Sequence, residues 1–153
     1  MSALDVARVR RDFPVLAQEV HGRPLVYLDN GATSQKPEAV IQAVADFYRH
    51  DNANVHRALH TLAERATSAY HRARERTGAF LNAPEPREVV FVRGATEAMN
   101  LVARSFLRPR LQPGDEVLVT ELEHHANIVP WQLVCEEAGA RLVAAPINDA
   151  GEV

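Results

Sequence analysis

The sequence predicts an α/β fold with a mostly parallel sheet and flanking helices. Three short apolar runs, at 89–92, 117–119 and 142–145, have the length of strands, and the first lacks the alternation of a half-buried strand. Helical patterns separate the three runs. A strand–helix–strand–helix–strand order is typical of βαβ units around a parallel sheet.

The first half of the chain adds helices and one strand to this prediction. An amphipathic stretch at 6–13, interrupted by Pro14, predicts an N-terminal helix. An apolar run at 25–28, bounded by turn-forming residues, predicts a strand. Pro37 suits the start of a second helix, and a longer amphipathic helix is predicted from about residue 61 to residue 81.

In the second half, turn and capping residues separate the apolar runs. A helical pattern follows Gly94 and continues to Phe106, and 113–115 reads Pro-Gly-Asp, a turn before the second run. Asn127 is a residue type that caps helices, and Gly139 is typical of a helix end. We therefore expect a helix from near residue 128 to Gly139.

Composition excludes several classes of protein. The chain has 153 residues, the size of about one domain, and 17 Lys and Arg against 20 Asp and Glu give a net charge of −3. This balance argues against nucleic-acid and polybasic membrane binding. Cys135 is the single cysteine, which excludes an intramolecular disulfide. With no signal-peptide pattern and no membrane-spanning apolar run, we expect a cytoplasmic protein.

The last residues resemble the opening of another element. Turn residues at 148–151 follow the third apolar run and lead into Glu-Val. We expect the chain to be the front part of a longer protein, and the alternative is a disordered tail after a last strand.

Two segments are predicted to lie at the ligand-binding edge of the sheet. Ligands of parallel α/β sheets bind beyond the carboxyl ends of the strands, which selects 93–97 and 121–127. In the first segment, Gly94 permits a close approach, and the amides of Ala95 and Thr96 at a helix start suit a phosphate. The alternative is an ordinary turn in which Thr96 caps the helix.

The second segment carries the adjacent histidines His124 and His125. A histidine here can stack on an aromatic ring, move protons near neutral pH or bind a metal. Neighbouring histidines point in different directions, so we expect at most one to face a ligand. The alternative is that both are solvated or bonded to the backbone.

Metal binding and thiol chemistry receive less support. His56 and His60 have i, i+4 spacing, but the Glu of a HExxH motif is missing, and the helix can begin after His56. We therefore predict no metal site. Cys135 lies within a helical apolar pattern without an activating motif, so we expect a packed side chain.

The chain resembles the N-terminal part of a cysteine desulfurase of the sulfur-mobilisation type, a class V aminotransferase-like enzyme that uses pyridoxal 5'-phosphate. Five ordered blocks over essentially the whole chain carry the resemblance. They are DFPVL at 12–16, YLDNGATSQKP at 27–37, VHRALHTL at 55–62, FVRGATEAMNLV at 91–102 and EHHANIVPWQ at 123–132.

The resemblance implies a fold-type I pyridoxal-phosphate enzyme. Residues 1–20 would form an N-terminal helical segment, and 21–153 the N-terminal part of the cofactor-binding large domain. The activity implied is the conversion of L-cysteine to L-alanine, with the sulfur passing to an enzyme cysteine for iron–sulfur cluster assembly. The implied partners are a second copy in a homodimer and a sulfur-acceptor protein.

The resemblance also assigns site residues. Ala95 and Thr96 would bind the cofactor phosphate, although the family often has Thr at the position of Ala95. His124 would stack on the pyridine ring and could shuttle protons. Weaker assignments place Gly31 and Ala32 beside the substrate pocket, where the family commonly has Ala for Gly31. His56 and Arg57 would lie near the dimer interface and the mouth of the site.

The residues that do the covalent chemistry in this family lie downstream of the matched blocks. Lys36, the only lysine, does not correspond to the lysine that anchors the cofactor, and Cys135 does not correspond to the cysteine that takes up sulfur. We therefore expect these 153 residues alone to be inactive. The alternatives are a selenocysteine lyase, a cysteine sulfinate desulfinase or another class V enzyme, and a non-catalytic interaction or dimerisation fragment.

Overall fold

The computed structural model describes residues 4–57 and 59–153, which form two compact units, Met1–Val89 and Val90–Val153. The predicted division into a segment 1–20 and a segment 21–153 stays a prediction. Residues 1–3 lie outside the described part of the chain. No helix among the described residues is long and apolar enough to cross a bilayer.

The first unit is mainly helical over its described residues. Its helices are α1 (Val6–Arg10), α2 (Glu38–Asp46) and α3 (Thr61–Leu81), and its strands are β1 (Glu19–Val20) and β2 (Arg23–Pro24). The strands form an antiparallel hairpin, and shorter helical turns lie at Pro14–Ala17, Phe47–Asp51 and Pro86–Glu88. The predicted N-terminal helix is confirmed but ends at Arg10, and the helix after Pro37 is confirmed.

Helix α3 has the bounds that its sequence predicts. At its start the Nδ1 atom of His60 accepts a hydrogen bond from the main-chain N–H of Ala63 at 3.3 Å. At its end Asn82 adopts the left-handed conformation with φ of 56°, which a short polar side chain tolerates. Small residues face the interior of the unit: Ala63, Ala66 and Gly78 are buried.

The second unit contains the predicted parallel βαβ unit. Helix α4 (Ala95–Leu101) continues through a π-helical turn (Val102–Leu107), and strand β3 (Glu116–Thr120) follows. After a 3₁₀ turn (His125–Asn127), helix α5 (Val129–Ala138) crosses over to strand β4 (Arg141–Ala145). The two strands pair in parallel, with Glu116 opposite Arg141 and Thr120 opposite Ala145.

Helix α5 packs on both strands of this sheet and on the π-helical turn. The side chains that it and its neighbours bury are small to medium in size: Ala103, Val119, Val134 and Cys135. Helix α5 ends as predicted at Gly139, whose φ of 70° is left-handed. These contacts fix the carboxyl end of β3, where the second predicted ligand segment begins.

Two predicted strands are not formed. Residues 25–28 and 89–92 are extended but have no strand partner among the described residues, so their predicted assignment as strands is wrong in this structure. Within 89–92, Val89 is buried, whereas Val90 is 65% and Phe91 44% exposed. An apolar run indicates burial, but a strand also needs a neighbour to complete its main-chain hydrogen bonds.

Candidate functional site

The N-terminus of helix α4 presents main-chain amides without a side-chain cap. Gly94 precedes the helix with an extended backbone (φ 167°, ψ 178°), and no side chain accepts a hydrogen bond from the first turn. The first main-chain bond of the helix runs from the Ala98 N–H to the Gly94 carbonyl at 3.1 Å. The amides of Ala95 and Thr96 therefore precede the helical ladder, and such groups bind anions.

Thr96 is the second residue of α4 rather than its cap, so the alternative reading of this turn is wrong. Its carbonyl accepts a hydrogen bond from the side-chain amide of Asn100 at 2.8 Å. The Thr96 side chain is exposed. The residue thus offers a main-chain N–H and a hydroxyl on the same turn.

The side chain of Glu97 links the two ends of this turn by hydrogen bonds to Arg93. Its carboxylate accepts hydrogen bonds from the main-chain N–H of Arg93 at 2.7 Å and from the Arg93 Nε at 3.1 Å. The side-chain bond from Arg93, followed by the main-chain bond, lowers the pKa of Glu97. Glu97 is not among the residues predicted to form the site, although its i, i+4 spacing from Arg93 is a recognisable signal of an ion pair.

Gly94 leaves space outside the turn. A Cβ added at Gly94 would have no other atom of the protein within 4 Å, and the backbone there is one that any residue can adopt. The fold itself therefore does not require glycine at this position. An external group approaching the turn does gain room from the missing side chain.

His124 begins the 3₁₀ turn that follows strand β3. Its Nδ1 atom accepts a hydrogen bond from the main-chain N–H of Ala126 at 3.1 Å. While Nδ1 accepts this hydrogen bond, Nε2 is the ring nitrogen that can donate. The rings of His124 and His125 have centroids 6.1 Å apart and planes at 86° to each other. That only one of the two faces a ligand stays a prediction.

A half-buried chain of polar side chains surrounds the backbone of His124. Glu123 accepts hydrogen bonds from the Thr120 hydroxyl at 3.1 Å and from the Asn127 amide at 2.7 Å. The Asn127 carbonyl oxygen accepts one from the Trp131 indole at 2.8 Å. The prediction that Asn127 caps the helix is therefore wrong, because its side chain is engaged here and Ile128 takes the cap position.

Helix α4 packs against the turn His125–Asn127, which His124 precedes. The two predicted ligand segments thus belong to elements that are in contact within the second unit. That the amides of Ala95 and Thr96 face the same side of the sheet as His124 stays a prediction, based on the rule that ligands bind beyond the carboxyl ends of parallel strands.

The other predicted site residues lie in the first unit. Gly31 and Ala32 form an exposed turn, in which the Asp29 carbonyl accepts from the N–H of Ala32 at 3.2 Å. The Tyr27 hydroxyl holds the ends of this turn by donating to the carbonyls of Asp29 and Thr33, at 3.1 and 2.7 Å. The position of this turn relative to His124 stays a prediction.

His56 is held in an unusual backbone conformation beside α3. Its φ of 69° is left-handed, and its main-chain N–H donates to the Thr67 hydroxyl at 3.0 Å. Its ring packs edge-on against Tyr70 at 5.6 Å and His71 at 4.9 Å, while Arg57 is exposed. Across 4–57 and 59–153, no three His, Cys, Asp or Glu side chains converge on a metal-sized position.

Cys135 and Lys36 are two further residues whose side chains could be reactive. Cys135 is 1% exposed on α5, and burial raises the pKa of its thiol, which disfavours a nucleophilic thiolate. The Lys36 ammonium donates to the Ser34 carbonyl at 2.5 Å.

The sequence of the chain is similar to those of known proteins. Residues 26–153 match the aminotransferase class-V family. A cysteine desulfurase from Synechococcus elongatus is 56% identical over 149 residues, which cover 97% of this chain and 24% of that protein. One from Pectobacterium carotovorum is 53% identical over 148 residues, covering 97% of this chain and 36% of that protein.

Solved structures show the same fold. A cysteine desulfurase from Escherichia coli is 45% identical with a TM-score of 0.77, covering 97% of this chain and 36% of that one. One from Thermococcus onnurineus is 33% identical with a TM-score of 0.81, covering 94% and 34%. The chain thus spans a quarter to about a third of the length of these relatives. By its sequence match over residues 26–153, the chain belongs to the aminotransferase class-V family.

Proposed function

We propose that this chain is the N-terminal part of a pyridoxal-phosphate-dependent cysteine desulfurase, which releases L-alanine from L-cysteine and passes the sulfur to an enzyme cysteine. The observation that carries the proposal is that helix α4, whose N-terminus has no side-chain cap, packs against the turn that His124 begins. On this proposal, the start of α4 supplies an anion site and His124 an imidazole for the same ligand. The relatives named above supply the activity by analogy.

The residues present fit the phosphate of the cofactor. The main-chain N–H groups of Ala95 and Thr96 and the Thr96 hydroxyl are donors, which is the chemistry that a phosphate needs. The space outside Gly94 admits the group without a clash. The alanine at position 95 lacks a hydroxyl but keeps its main-chain donor, so phosphate binding is retained.

The residues also fit the cofactor ring. His124 is exposed, so its face is open to stacking, and the Nδ1 bond to Ala126 fixes the orientation of the ring. The proton on Nε2 is the one that His124 can donate or exchange during the reaction. The bound cofactor supplies the electron sink that makes loss of the α-proton of cysteine feasible.

The covalent chemistry needs groups that we place elsewhere in the whole protein. An anchoring lysine and a nucleophilic cysteine are required, and Lys36 and Cys135 are unsuited by their contacts and burial. We therefore propose that the 153-residue chain alone does not turn over. Gly31, Ala32, His56 and Arg57 are proposed to border the substrate pocket and the mouth of the site.

The same proposal extends to partners and location. A homodimer, a sulfur-acceptor protein that feeds iron–sulfur cluster assembly and a cytoplasmic location follow from the resemblance of the chain to desulfurases. L-cysteine is the proposed substrate. A selenocysteine lyase, a cysteine sulfinate desulfinase and a non-catalytic fragment are the competing functions.

One assay separates these functions. The complete protein, loaded with pyridoxal phosphate, is given L-cysteine, L-selenocysteine or L-cysteine sulfinate, and alanine is quantified together with sulfide, selenide or sulfite. With a thiol reductant such as dithiothreitol present to release the persulfide sulfur as sulfide, alanine and sulfide from L-cysteine are expected in equal amounts, at the highest kcat/KM of the three substrates. A preference for L-selenocysteine or L-cysteine sulfinate would instead assign the corresponding lyase or desulfinase activity. If none of the three substrates gives alanine, the enzyme proposal is refuted.

A further inference from the structure

Glu123 closes the backbone loop that carries His124. Its carboxylate binds the Asn127 amide at 2.7 Å, and His124 lies between these two residues in the chain. The main-chain N–H of Asn127 also donates to the His124 carbonyl at 2.7 Å. The loop is thus tied by one side-chain and one main-chain hydrogen bond, with the imidazole projecting from it.

The same carboxylate anchors this loop at both ends. Its other oxygen accepts a hydrogen bond from the hydroxyl of Thr120, the last residue of β3. The Asn127 side-chain oxygen in turn accepts one from the indole of Trp131, in the first turn of α5. Strand, loop and helix are therefore joined by three consecutive side-chain hydrogen bonds. These bonds are partly buried, whereas the Gln132–Glu136 pair on α5 is exposed.

Glu123 determines the direction of the three side-chain hydrogen bonds that link Thr120 to Trp131. An ionised carboxylate only accepts, so the Asn127 NH₂ group must face it, and the Asn127 oxygen must face the other way. The Trp131 indole can only donate, so it meets that oxygen with the correct polarity. These three hydrogen bonds can therefore form in one arrangement of donors and acceptors, and this favours one position of the loop.

We propose that Glu123, acting through Asn127 and Trp131, is a positioning residue that holds the His124 ring in the orientation used in the reaction. The proposal rests on the proposed function, in which His124 stacks on the cofactor. It adds that the neighbouring carboxylate determines where that ring lies. Glu123 itself does not touch the reacting atoms.

The test uses three variants of the complete protein. Glu123→Ala removes the link at both ends. Glu123→Gln keeps it, because the amide oxygen can accept from Asn127 while its NH₂ donates to a rotated Thr120 hydroxyl. Glu136→Gln is the matched control, since the Glu136 carboxylate is exposed and bonds only Gln132 on its own helix.

The first readout is the tautomer of His124, followed by NMR of ring-¹⁵N histidine and assigned by loss of the signal in His124→Gln. We expect distinct accepting and protonated nitrogens in the parent, Glu123→Gln and Glu136→Gln, and averaged nitrogens in Glu123→Ala. An unchanged His124 signal in Glu123→Ala would overturn the proposal. This readout does not depend on turnover, so it stands apart from failure of the desulfurase assay.

The second readout is kinetic. Glu123→Ala is expected to lower kcat about 10- to 100-fold at unchanged KM, because a misplaced group loses rate rather than binding. Glu123→Gln should restore the rate, and if it is as slow as Glu123→Ala, charge rather than position is what matters and the proposal is wrong. If Glu123→Ala does not fold, Trp131→Phe, which removes the indole N–H donor and keeps an aromatic ring, takes its place with the same expected direction in both readouts.

Discussion

The carboxylate of Glu97 binds the main-chain N–H of Arg93 at 2.7 Å, across the turn that opens helix α4. This bond spans Gly94, and no side chain caps the first turn of α4, to which Ala95 and Thr96 belong. The main-chain N–H of Arg93 therefore has its hydrogen-bond partner within the protein, whereas the amides of Ala95 and Thr96 are proposed to bind an anion. Several predictions depend on this difference and on the position of His124.

Removal of the Thr96 hydroxyl should weaken cofactor binding. Thr96→Val keeps the shape of the side chain and the main-chain donor but loses one charge-assisted hydrogen bond, which contributes about 1.5–3 kcal/mol. We expect the dissociation constant of pyridoxal phosphate, measured by equilibrium dialysis of the complete protein, to rise by about 10- to 100-fold. Thr77→Val is the control, because the Thr77 hydroxyl bonds only the Ala73 carbonyl within α3.

Two glycines should respond differently to alanine. Gly94→Ala introduces a Cβ into open space on extended backbone, so stability should hold while cofactor affinity falls. Gly139→Ala places a Cβ at a φ of 70° and 3.5 Å from Pro113, so it should destabilise the protein by about 1 kcal/mol. Urea unfolding and cofactor titration of both variants test this, and a large stability loss in Gly94→Ala would show that the turn needs glycine for folding.

The two adjacent histidines should be unequal in the reaction. His124→Ala removes the proposed stacking ring and proton carrier, and the rate of alanine release should fall by about 10²-fold or more. His125→Ala removes a ring that lies at 86° to the first, and its rate should stay close to that of the parent. Equal losses in both variants would contradict the assignment of His124 as the ring partner.

Glu137 should make stability depend on acid pH. The Arg104 guanidinium, with a smaller contribution from Arg108, holds the pKa of Glu137 below the ordinary 4.5. A lowered pKa means that the stabilisation is present above the unfolded-state value and is lost as the pH falls through the folded-state value. At pH 7, Glu137→Gln should therefore unfold at a lower urea concentration than the parent.

The difference between Glu137→Gln and the parent should shrink below pH 4.5 and disappear once Glu137 is protonated. Because both partners are partly exposed, added salt should also reduce it. Glu152→Gln is a suitable reference, since the Glu152 carboxylate bonds the nearby Asn148 side chain rather than a cation. A difference that stays constant with pH would contradict the assigned ion pair.

The sequence predicted those elements whose signals are local. Helix α3 begins and ends at the predicted residues because its apolar spacing and its ends are set within a few residues. The β3–α5–β4 unit was also predicted, since a short strand, a helix ending in Gly139 and a second strand leave one right-handed parallel connection. That Thr96 and His124 lie on one side of the sheet follows from the same reasoning and stays a prediction.

Features that depend on which partner a segment or a side chain meets in the folded protein were not predicted. Residues 89–92 have the composition of a strand, but composition does not provide a neighbouring strand. Asn127 has the right type for a helix cap, yet its amide joins Glu123 to Trp131. Side-chain partners three or four residues apart in a loop carry no periodic signal, so Glu123 could be recognised only from the structure.

The most direct test of the account is a crystal structure of the complete protein with pyridoxal phosphate bound. It should place phosphate oxygens about 2.7–3.1 Å from the main-chain nitrogens of Ala95 and Thr96 and from the Thr96 hydroxyl. The His124 ring should lie parallel to the pyridine ring, with Nδ1 still accepting from Ala126. A phosphate bound on any other loop, or a pyridine ring out of reach of His124, would contradict the account.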